Sequence, residues 1–186
     1  MLVVLIGPPG AGKGTQSQRL AAHLGIPHCS TGDMFRDACQ RQTELGLQAI
    51  EFMQSGRLVP DSLVEKLVWE RLSQDDCRDG CVLDGFPRTV PQARQFDAWA
   101  SQNYMPVSVV LAIDVDEQTL LDRLADRGRQ DDDRQVVHER FRQYEELTVP
   151  LLDYYLSQGI LRLVNGVGGP DEVYERIQQT IEAAKP

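Results

Sequence analysis

The sequence lacks the features that would place a protein in a membrane or outside the cell. None of its apolar runs approaches the roughly 20 residues needed to span a bilayer. The opening run MLVVLI has no basic flank and leads straight into Pro-Pro-Gly, which is not the pattern of a signal peptide. We therefore expect a cytoplasmic protein that has no membrane partner.

Cysteine is also scarce, and its spacing is not that of a disulfide framework. The four cysteines are Cys29, Cys39, Cys77 and Cys81. Only Cys77 and Cys81 are close in sequence, and neither a second pair nor a nearby histidine completes a zinc set. We expect free thiols with buried or half-buried side chains, and no zinc.

Basic residues are also few relative to acidic ones. The net charge is -9, and lysine occurs only at positions 13, 66 and 185. An acidic chain without a basic or aromatic stripe is a poor candidate for binding nucleic acid, so we expect no such partner. A small anionic substrate stays possible because its binding depends on local charge. The remaining cations are arginines, whose planar fork suits phosphate.

Short apolar runs alternate with amphipathic stretches along the 186 residues. The runs predicted as buried strands are Leu2–Ile6, Cys81–Leu83, Val107–Ile113 and Ile160–Val164. Continuous apolar strands separated by helices predict an α/β fold, with a parallel sheet flanked by helices on both faces. Two segments interrupt the alternation: residues 30–59 predict two inserted helices, and the polar stretch 127–134 predicts an exposed loop.

The stretch GPPGAGKGT, residues 7–15, follows the first predicted strand and precedes a predicted helix. Its glycines let backbone N–H groups approach phosphate, the helix directs its positive end at them, and Lys13 neutralises phosphate oxygens. The common pattern has Ser or Thr directly after the lysine, whereas this chain has Gly14 and places the hydroxyl at Thr15. The stretch predicts a phosphate-binding loop of a distinct subtype.

The strand ending at Leu83 leads into Asp84, followed by Gly-Phe-Pro and Arg88. An acid at the carboxyl end of a buried parallel strand lies at the same sheet edge as the phosphate loop. Its expected role is to hold Mg²⁺ through water, because Mg²⁺ sheds its water reluctantly.

Five motifs, in order along the whole chain, resemble the adenylate kinase family. They are GPPGAGKGT, STGDMFR (30–36), GRLVPD (56–61), LDGFPRTVPQ (83–92) and the distal DRGRQDDD. The resemblance implies a single P-loop NTPase domain with two mobile flaps, acting as a monomer. The core would comprise 1–29, 60–126 and 135–186, with an AMP-binding insert at 30–59 and a short lid at 127–134.

The same resemblance implies site residues for ATP, AMP and Mg²⁺. For ATP they are Gly10, Ala11, Gly12, Lys13, Gly14, Thr15, Arg123, Arg127 and Gly168. For AMP they are Thr31, Arg36, Arg57, Leu58, Val59, Gly85, Phe86, Pro87, Arg88, Gln92, Arg129 and Arg140. The catalytic charge would come from Lys13, Arg88, Arg123, Arg127, Arg129 and Arg140. Asp84 and Asp33 would order Mg²⁺ through water.

The implied reaction transfers a phosphoryl group from Mg·ATP to AMP and gives two ADP. Thr31, Thr89 and Gln92 favour AMP as the acceptor, and a UMP/CMP kinase is the first alternative. A non-catalytic nucleotide-binding regulator is the second, but Lys13, Asp84 and the arginines are all present together.

The lid is very short for this family and has no zinc ligands, and we hypothesise that Asp131 or Asp132 pairs with a lid arginine.

Overall fold

The computed structural model describes residues 1–128 and 133–184. Its centre is a five-stranded parallel sheet with the order β2-β3-β1-β4-β5. The strands are β1 (Leu2–Ile6), β2 (His28–Ser30), β3 (Cys81–Asp84), β4 (Val107–Asp114) and β5 (Leu161–Asn165). This confirms the predicted α/β class and the parallel sheet.

Helices connect the strands. The α-helices are α1 (Lys13–Leu24), α2 (Thr31–Gln40), α3 (Glu44–Gln54), α4 (Asp61–Leu72), α5 (Val90–Gln102), α6 (Glu117–Arg127), α7 (Arg134–Gln143), α8 (Pro150–Ser157) and α9 (Pro170–Ala184). A short 3₁₀ turn covers Asp75–Cys77, and a π-helical segment, Tyr144–Thr148, lies between α7 and α8. None of the helices in the described ranges is long and apolar enough to cross a membrane.

The sheet separates two apolar cores, and β1 serves both. Leu2, Val4 and Ile6 point into one core, while Val3 and Leu5 point into the other. This alternation follows from the two-residue period of a strand. Because both faces of the sheet are covered, β1 must be apolar throughout. This continuous apolar run is what allowed the strand to be predicted from the sequence.

One core is built around aromatic rings from α4, α5 and the segment after β3. Phe96 stacks with Trp69 and Trp99 and meets Phe86 edge-on at 5.5 Å between ring centroids. Phe86 and Phe96 are both fully buried. This packing fixes the backbone on either side of Phe86, which is the segment that carries Gly85 and Arg88.

The register of the central strands positions the site. In the parallel pairing of β1 with β3, Leu5 lies opposite Asp84. The chain leaving β1 therefore enters the phosphate loop beside the end of β3. The prediction from strand order that these two segments share one sheet edge is confirmed.

Candidate functional site

The phosphate loop depends on glycines with left-handed backbone angles. Gly10 has φ +83° and Gly12, which directly precedes α1, has φ +86°. A Cβ atom at Gly10 would lie 2.8 Å from the Leu120 carbonyl oxygen on α6, so a side chain cannot be added without displacing backbone. At Gly12 a Cβ would meet nothing within 4 Å, because this part of the loop faces open space.

Lys13 folds back over the loop that precedes it. Its Nζ donates to the carbonyl oxygens of Gly7 at 2.7 Å and Pro8 at 2.9 Å. Burial, reinforced by the charges of nearby arginines and opposed by Asp84, lowers the pKa of Lys13 to about 8. Neutral carbonyls only partly replace the water that the ammonium has lost. The loop therefore holds a cation that an anion would stabilise.

Asp84 lies on the other side of the same loop. A Cβ built at Gly14 would be 3.5 Å from its Oδ2, so the loop backbone passes close to the carboxylate. Burial raises the pKa of Asp84, but His28 and the charges of Lys13 and Arg88 outweigh it, and the pKa lies below its ordinary value. His28 Nε2 is 3.8 Å from Oδ2, which is too long for a hydrogen bond.

A cleft of about 1780 Å³, measured with its open mouth, runs along the loop. Its walls bring together fifteen of the residues predicted for ATP, catalysis, AMP or magnesium. They are Gly10, Ala11, Gly12, Lys13, Gly14, Thr15, Asp33, Arg36, Asp84, Gly85, Arg88, Arg123, Arg127, Arg140 and Gly168. With Asp126, which also lines it, the cleft combines a phosphate cradle, three carboxylates and a set of arginines.

Arg123 lies at the end of this cleft nearest α9. Its guanidinium donates to the carbonyl oxygens of Gly166 and Gly168, at 2.9 Å in both cases. This contact joins α6 to the loop between β5 and α9. Arg127 follows one helical turn later and lines the same cleft, as the spacing of four residues predicted.

A second cavity lies under the inserted helices α2 and α3. The predicted AMP residues on its walls are Thr31, Arg36, Arg57, Leu58, Val59, Gly85, Arg88, Gln92 and Arg140. Thr31, which is buried, donates to the Gly85 carbonyl at 2.8 Å and so ties the start of α2 to the end of β3. Arg57 turns its guanidinium toward Glu51 on α3 and toward Ser55, which directly follows that helix, both at 3.0 Å.

The cleft and the second cavity share a wall. Arg36, Gly85, Arg88 and Arg140 line both of them. Arg88 is held at both its side chain and its backbone: its Nε donates to the Gly85 carbonyl at 2.8 Å, and its own carbonyl accepts from Thr148. Burial lowers the pKa of Arg88, although a guanidinium remains charged in proteins. A positive wall thus separates two cavities of nucleotide-binding character.

Three predicted residues stand apart from these walls. Phe86 has its side chain in the aromatic core and can present only backbone to a ligand. Pro87 lines a smaller cavity between the two, next to Lys13 and Arg88. Arg129 lies outside the described residues, as do Asp131 and Asp132, on which the lid-pairing hypothesis rests.

Sequence reasoning assigned no role to two residues that contact the site. His28 reaches Asp84 from the neighbouring strand β2, and Asp61 binds Gln92 from the first turn of α4. Each contact joins residues more than 30 positions apart. A local motif carries no signal for such a pair, although Asp61 does lie within the GRLVPD motif.

The cysteines match the expectation of buried or half-buried thiols. Cys29, Cys77 and Cys81 are buried, Cys39 is half-buried, and all four are free. The sulfur atoms of the first three lie within 4.8 Å of one another, a proximity that the spacing of Cys77 and Cys81 alone did not indicate. Within the described residues this cluster offers three ligand atoms, whereas structural zinc sites take four.

A phosphate loop beside a strand-end acid, opening onto two cavities with a common wall of arginines, defines a small P-loop phosphotransferase that brings two nucleotides together. Comparison with known proteins is more specific. The family model for adenylate kinase matches residues 5–160. An adenylate kinase from Mycobacterium sp. (strain MCS) is 45% identical over 181 residues, covering 97% of this chain and 99% of that protein.

Two further relatives agree. An adenylate kinase from Mycolicibacterium vanbaalenii is 48% identical over 176 residues, covering 95% of this chain and 96% of that protein. One from Bifidobacterium longum is 42% identical over 186 residues, covering 98% of this chain and all of that protein. The chain belongs to the adenylate kinase family, and it is a nucleoside monophosphate kinase.

Proposed function

We propose that the cleft holds Mg·ATP, that the second cavity holds AMP, and that the γ-phosphoryl group passes between them across the shared wall. The chain is an adenylate kinase, and this reaction gives two ADP and balances the adenine nucleotide pool. The observation that carries the arrangement is the wall itself, because Arg36, Arg88 and Arg140 border both cavities. Positive charge is thus concentrated where the triphosphate of ATP and the phosphate of AMP would meet.

On the ATP side, we assign the phosphates to the loop backbone, Lys13 and the positive end of α1. Thr15 lies near these phosphates, and Arg123 and Arg127 approach them from α6. The backbone near Gly168 would lie against the adenine, since it borders the same cleft. Nucleotide binding would then exchange the carbonyl partners of Lys13 and Arg123 for phosphate oxygens.

On the AMP side, we assign the phosphate to Arg36 and Arg88, and the base to Gln92. The Leu58 and Val59 backbone closes the pocket, and Gly85 to Arg88 lie along the nucleotide. Arg57 contributes through backbone in this conformation, because its guanidinium is engaged with α3. A buried amide that pairs with the base edge would reject bases that leave it unpaired.

Phosphoryl transfer needs little acid–base chemistry. It needs two anionic nucleotides aligned and their charge neutralised away from water. We propose that the core (1–29, 60–126 and 135–186) carries the cradle, while the insert 30–59 and the lid 127–134 close over the substrates. Arg129 would join Arg140 at the phosphates between the nucleotides.

Magnesium arrives as part of the substrate Mg·ATP. Asp84 fits such an ion because its carboxylate borders the phosphate loop and its pKa is held below the ordinary value. We propose that Asp84, with Asp33 in the same cleft, orders the hydration shell of Mg²⁺ rather than replacing it. The metal would supply charge neutralisation to the β- and γ-phosphates.

We also propose that the enzyme acts as a monomer in the cytoplasm. The support for a monomer is membership of the adenylate kinase family, which suggests one. Light scattering coupled to size-exclusion chromatography would give a mass near 20.9 kDa for a monomer. Twice that mass, unchanged on dilution, would contradict the proposal.

The deciding experiment measures ADP production from Mg·ATP with AMP, UMP, CMP and GMP in parallel, together with a tube that has no acceptor. We expect turnover with AMP far above the other three. A preference for UMP or CMP would overturn the acceptor assignment while keeping the phosphate chemistry. Turnover without acceptor would mean that water reaches the γ-phosphate through the short lid. Nucleotide binding without turnover would support the regulator instead.

A further inference from the structure

Both ends of the Gln92 side-chain amide are already hydrogen-bonded inside the protein. Oε1 accepts from the backbone N–H of Arg88 at 2.7 Å, and Nε2 donates to Asp61 Oδ1 at 2.6 Å. Gln92 is 1% exposed, yet it lines the second cavity. Its amide is therefore part of the pocket wall and cannot turn freely.

The two partners leave the amide with one favourable orientation. A backbone N–H can only donate, so it requires the oxygen of Gln92, while a carboxylate accepts, so it requires the nitrogen. A flipped amide would set donor against donor at Arg88 and acceptor against acceptor at Asp61. Each buried mismatch would cost the desolvation of an unpaired polar group.

Asp61 is itself held in place. Its Oδ2 accepts from the Thr89 hydroxyl at 3.1 Å, and Thr89 Oγ1 accepts from the backbone N–H of Gln92 at 3.2 Å. The two carboxylate oxygens thus bridge the first turns of α4 and α5. This arrangement gives Asp61 a defined direction toward Gln92.

We propose that Asp61 is a positioning residue for base selection, which acts by fixing the orientation of the Gln92 amide. This inference rests on the proposed role of Gln92 as the group that recognises the base. One lone pair on Oε1 and one N–H on Nε2 remain for a ligand. Together they match a 6-aminopurine, which offers an amino donor beside a ring-nitrogen acceptor. A 6-oxopurine offers the reverse order and would need the flipped amide.

Asp61→Asn tests this with little change of shape. The Thr89 hydroxyl donates to position 61, so it would hold the oxygen of the new amide and leave its nitrogen facing Gln92. That nitrogen favours the flipped Gln92 amide, against the Arg88 N–H. The readout is kcat/KM for AMP divided by that for IMP, with IMP competition against AMP where turnover is slow. We expect this ratio to fall roughly tenfold or more, because hydrogen bonds to charged groups are the stronger ones. The change should lie mainly in KM for AMP, with kcat retained.

Gln92→Leu and the double variant show whether Asp61 acts through Gln92. We expect Gln92→Leu to lower the AMP-to-IMP ratio, and Asp61→Asn to add nothing when Gln92 is already absent.

Glu70→Gln is the matched control, since Glu70 is an exposed acid on the same helix α4. Glu65 is unsuitable, because burial and the charge of Asp61 together raise its pKa. A merely structural loss at position 61 would lower stability without changing the ratio.

The outcomes separate the inference from the proposed function. An unchanged ratio in Asp61→Asn, with a lowered ratio in Gln92→Leu, would overturn the role of Asp61 alone. An unchanged ratio in Gln92→Leu would remove base recognition by Gln92 and the inference with it, while AMP turnover would still stand. If Asp61→Asn does not fold, Asp61→Ser carries the same expectation, because a hydroxyl also both donates and accepts.

Discussion

Nucleotide binding should change the protonation of Lys13. In the empty loop its pKa is lowered to about 8, first by burial and then by the charges of Arg88, Arg140 and Arg127, against the attraction of Asp84. A phosphate chain in the cradle would add negative charge directly beside the ammonium and reverse the balance. We therefore predict that binding of nucleotide is accompanied by proton uptake in alkaline solution.

The size of the effect follows from the pKa. The interval from the ordinary value of 10.5 to about 8 corresponds to roughly 3 kcal/mol by which the empty loop disfavours the charged form. At about pH 8.5 only about a quarter of the protein without nucleotide would carry the proton, so full recovery takes up about 0.75 proton. At about pH 7 the corresponding uptake is only about 0.1 proton.

Isothermal titration calorimetry of ATP binding, in two buffers with different ionisation enthalpies, measures the protons directly. Lys13→Arg is the control, because it keeps the positive charge but does not titrate in this range. We expect the uptake to grow between about pH 7 and pH 8.5 in the wild type and to be flat in the variant. Equal uptake by both proteins at about pH 8.5 would refute the reasoning, because the proton would then belong to another group.

The same pKa has a consequence for the stability of the empty protein. The unfolded chain keeps the Lys13 proton up to about pH 10.5, whereas the folded protein releases it near pH 8. The unfolded state thus binds more protons in this window, and the Lys13 contribution to the free energy of unfolding rises with pH there. Denaturant titrations of wild type and Lys13→Arg should diverge in that direction between pH 8 and 10.5.

Two further substitutions test the shared wall and the aromatic core, each against a matched control. Arg88→Ala should lower kcat/KM by about 10²- to 10³-fold, because it removes a half-buried cation from the wall that the two cavities share. Arg142→Ala, which removes an exposed guanidinium paired with two glutamates, should change kcat/KM less than about twofold. Steady-state kinetics with both substrates decide this comparison, and comparable losses in the two variants would argue against the wall. Phe96→Ala should lower the free energy of unfolding by about 3–5 kcal/mol, since the ring is fully buried among other aromatics. Tyr104→Ala, at a side chain that is 94% exposed, should change it by less than about 0.5 kcal/mol in the same denaturant titration, and a similar cost at both positions would contradict the packing argument.

The fold was predictable wherever an element is apolar enough to be recognised from its own residues. The four apolar runs are all strands, with ends shifted by no more than one residue. The sequence gives no such signal for β2, because His28–Ser30 is only three residues long and is not an apolar run. The apolar residues from Val137 to Tyr155 have the spacing of one long helix, whereas the chain forms α7, a π-helical segment and α8. The spacing of these apolar residues indicates which face of the segment is buried, but it does not distinguish α-helical from π-helical backbone.

The site divides in a similar way. The phosphate loop and Asp84 were predictable because each lies next to a recognisable strand, and strand order brings them to one edge. The contacts of Asp61 with Gln92 and of His28 with Asp84 depend on how separate elements pack. The AMP-binding assignments came from resemblance to the family, since nothing in their local sequence specifies a base.

Some cations of the chain are held by backbone carbonyl oxygens and others by carboxylates, and Arg162 and Arg176 show that carbonyl partners also occur outside the site. Three cations that border the cleft donate to backbone carbonyls: Lys13, Arg88 and Arg123. Three arginines outside it pair with carboxylates: Arg19, Arg71 and Arg142. A carbonyl is a neutral acceptor, so a phosphate oxygen that replaces it forms the stronger, charge-assisted bond.

A carboxylate in place of the carbonyl would also form a charge-assisted bond with the cation, so phosphate would gain less by replacing it. Carboxylates pair with Arg19, Arg71 and Arg142 outside the cleft of this chain of net charge -9, while Lys13, Arg88 and Arg123 inside it are held by carbonyl oxygens that phosphate can displace. Arg36 differs from these three, because it pairs with Asp33 within the cleft. If Asp33 turns to the hydration shell of Mg²⁺, it releases Arg36 toward AMP, so the loading of one nucleotide would prepare the site for the other.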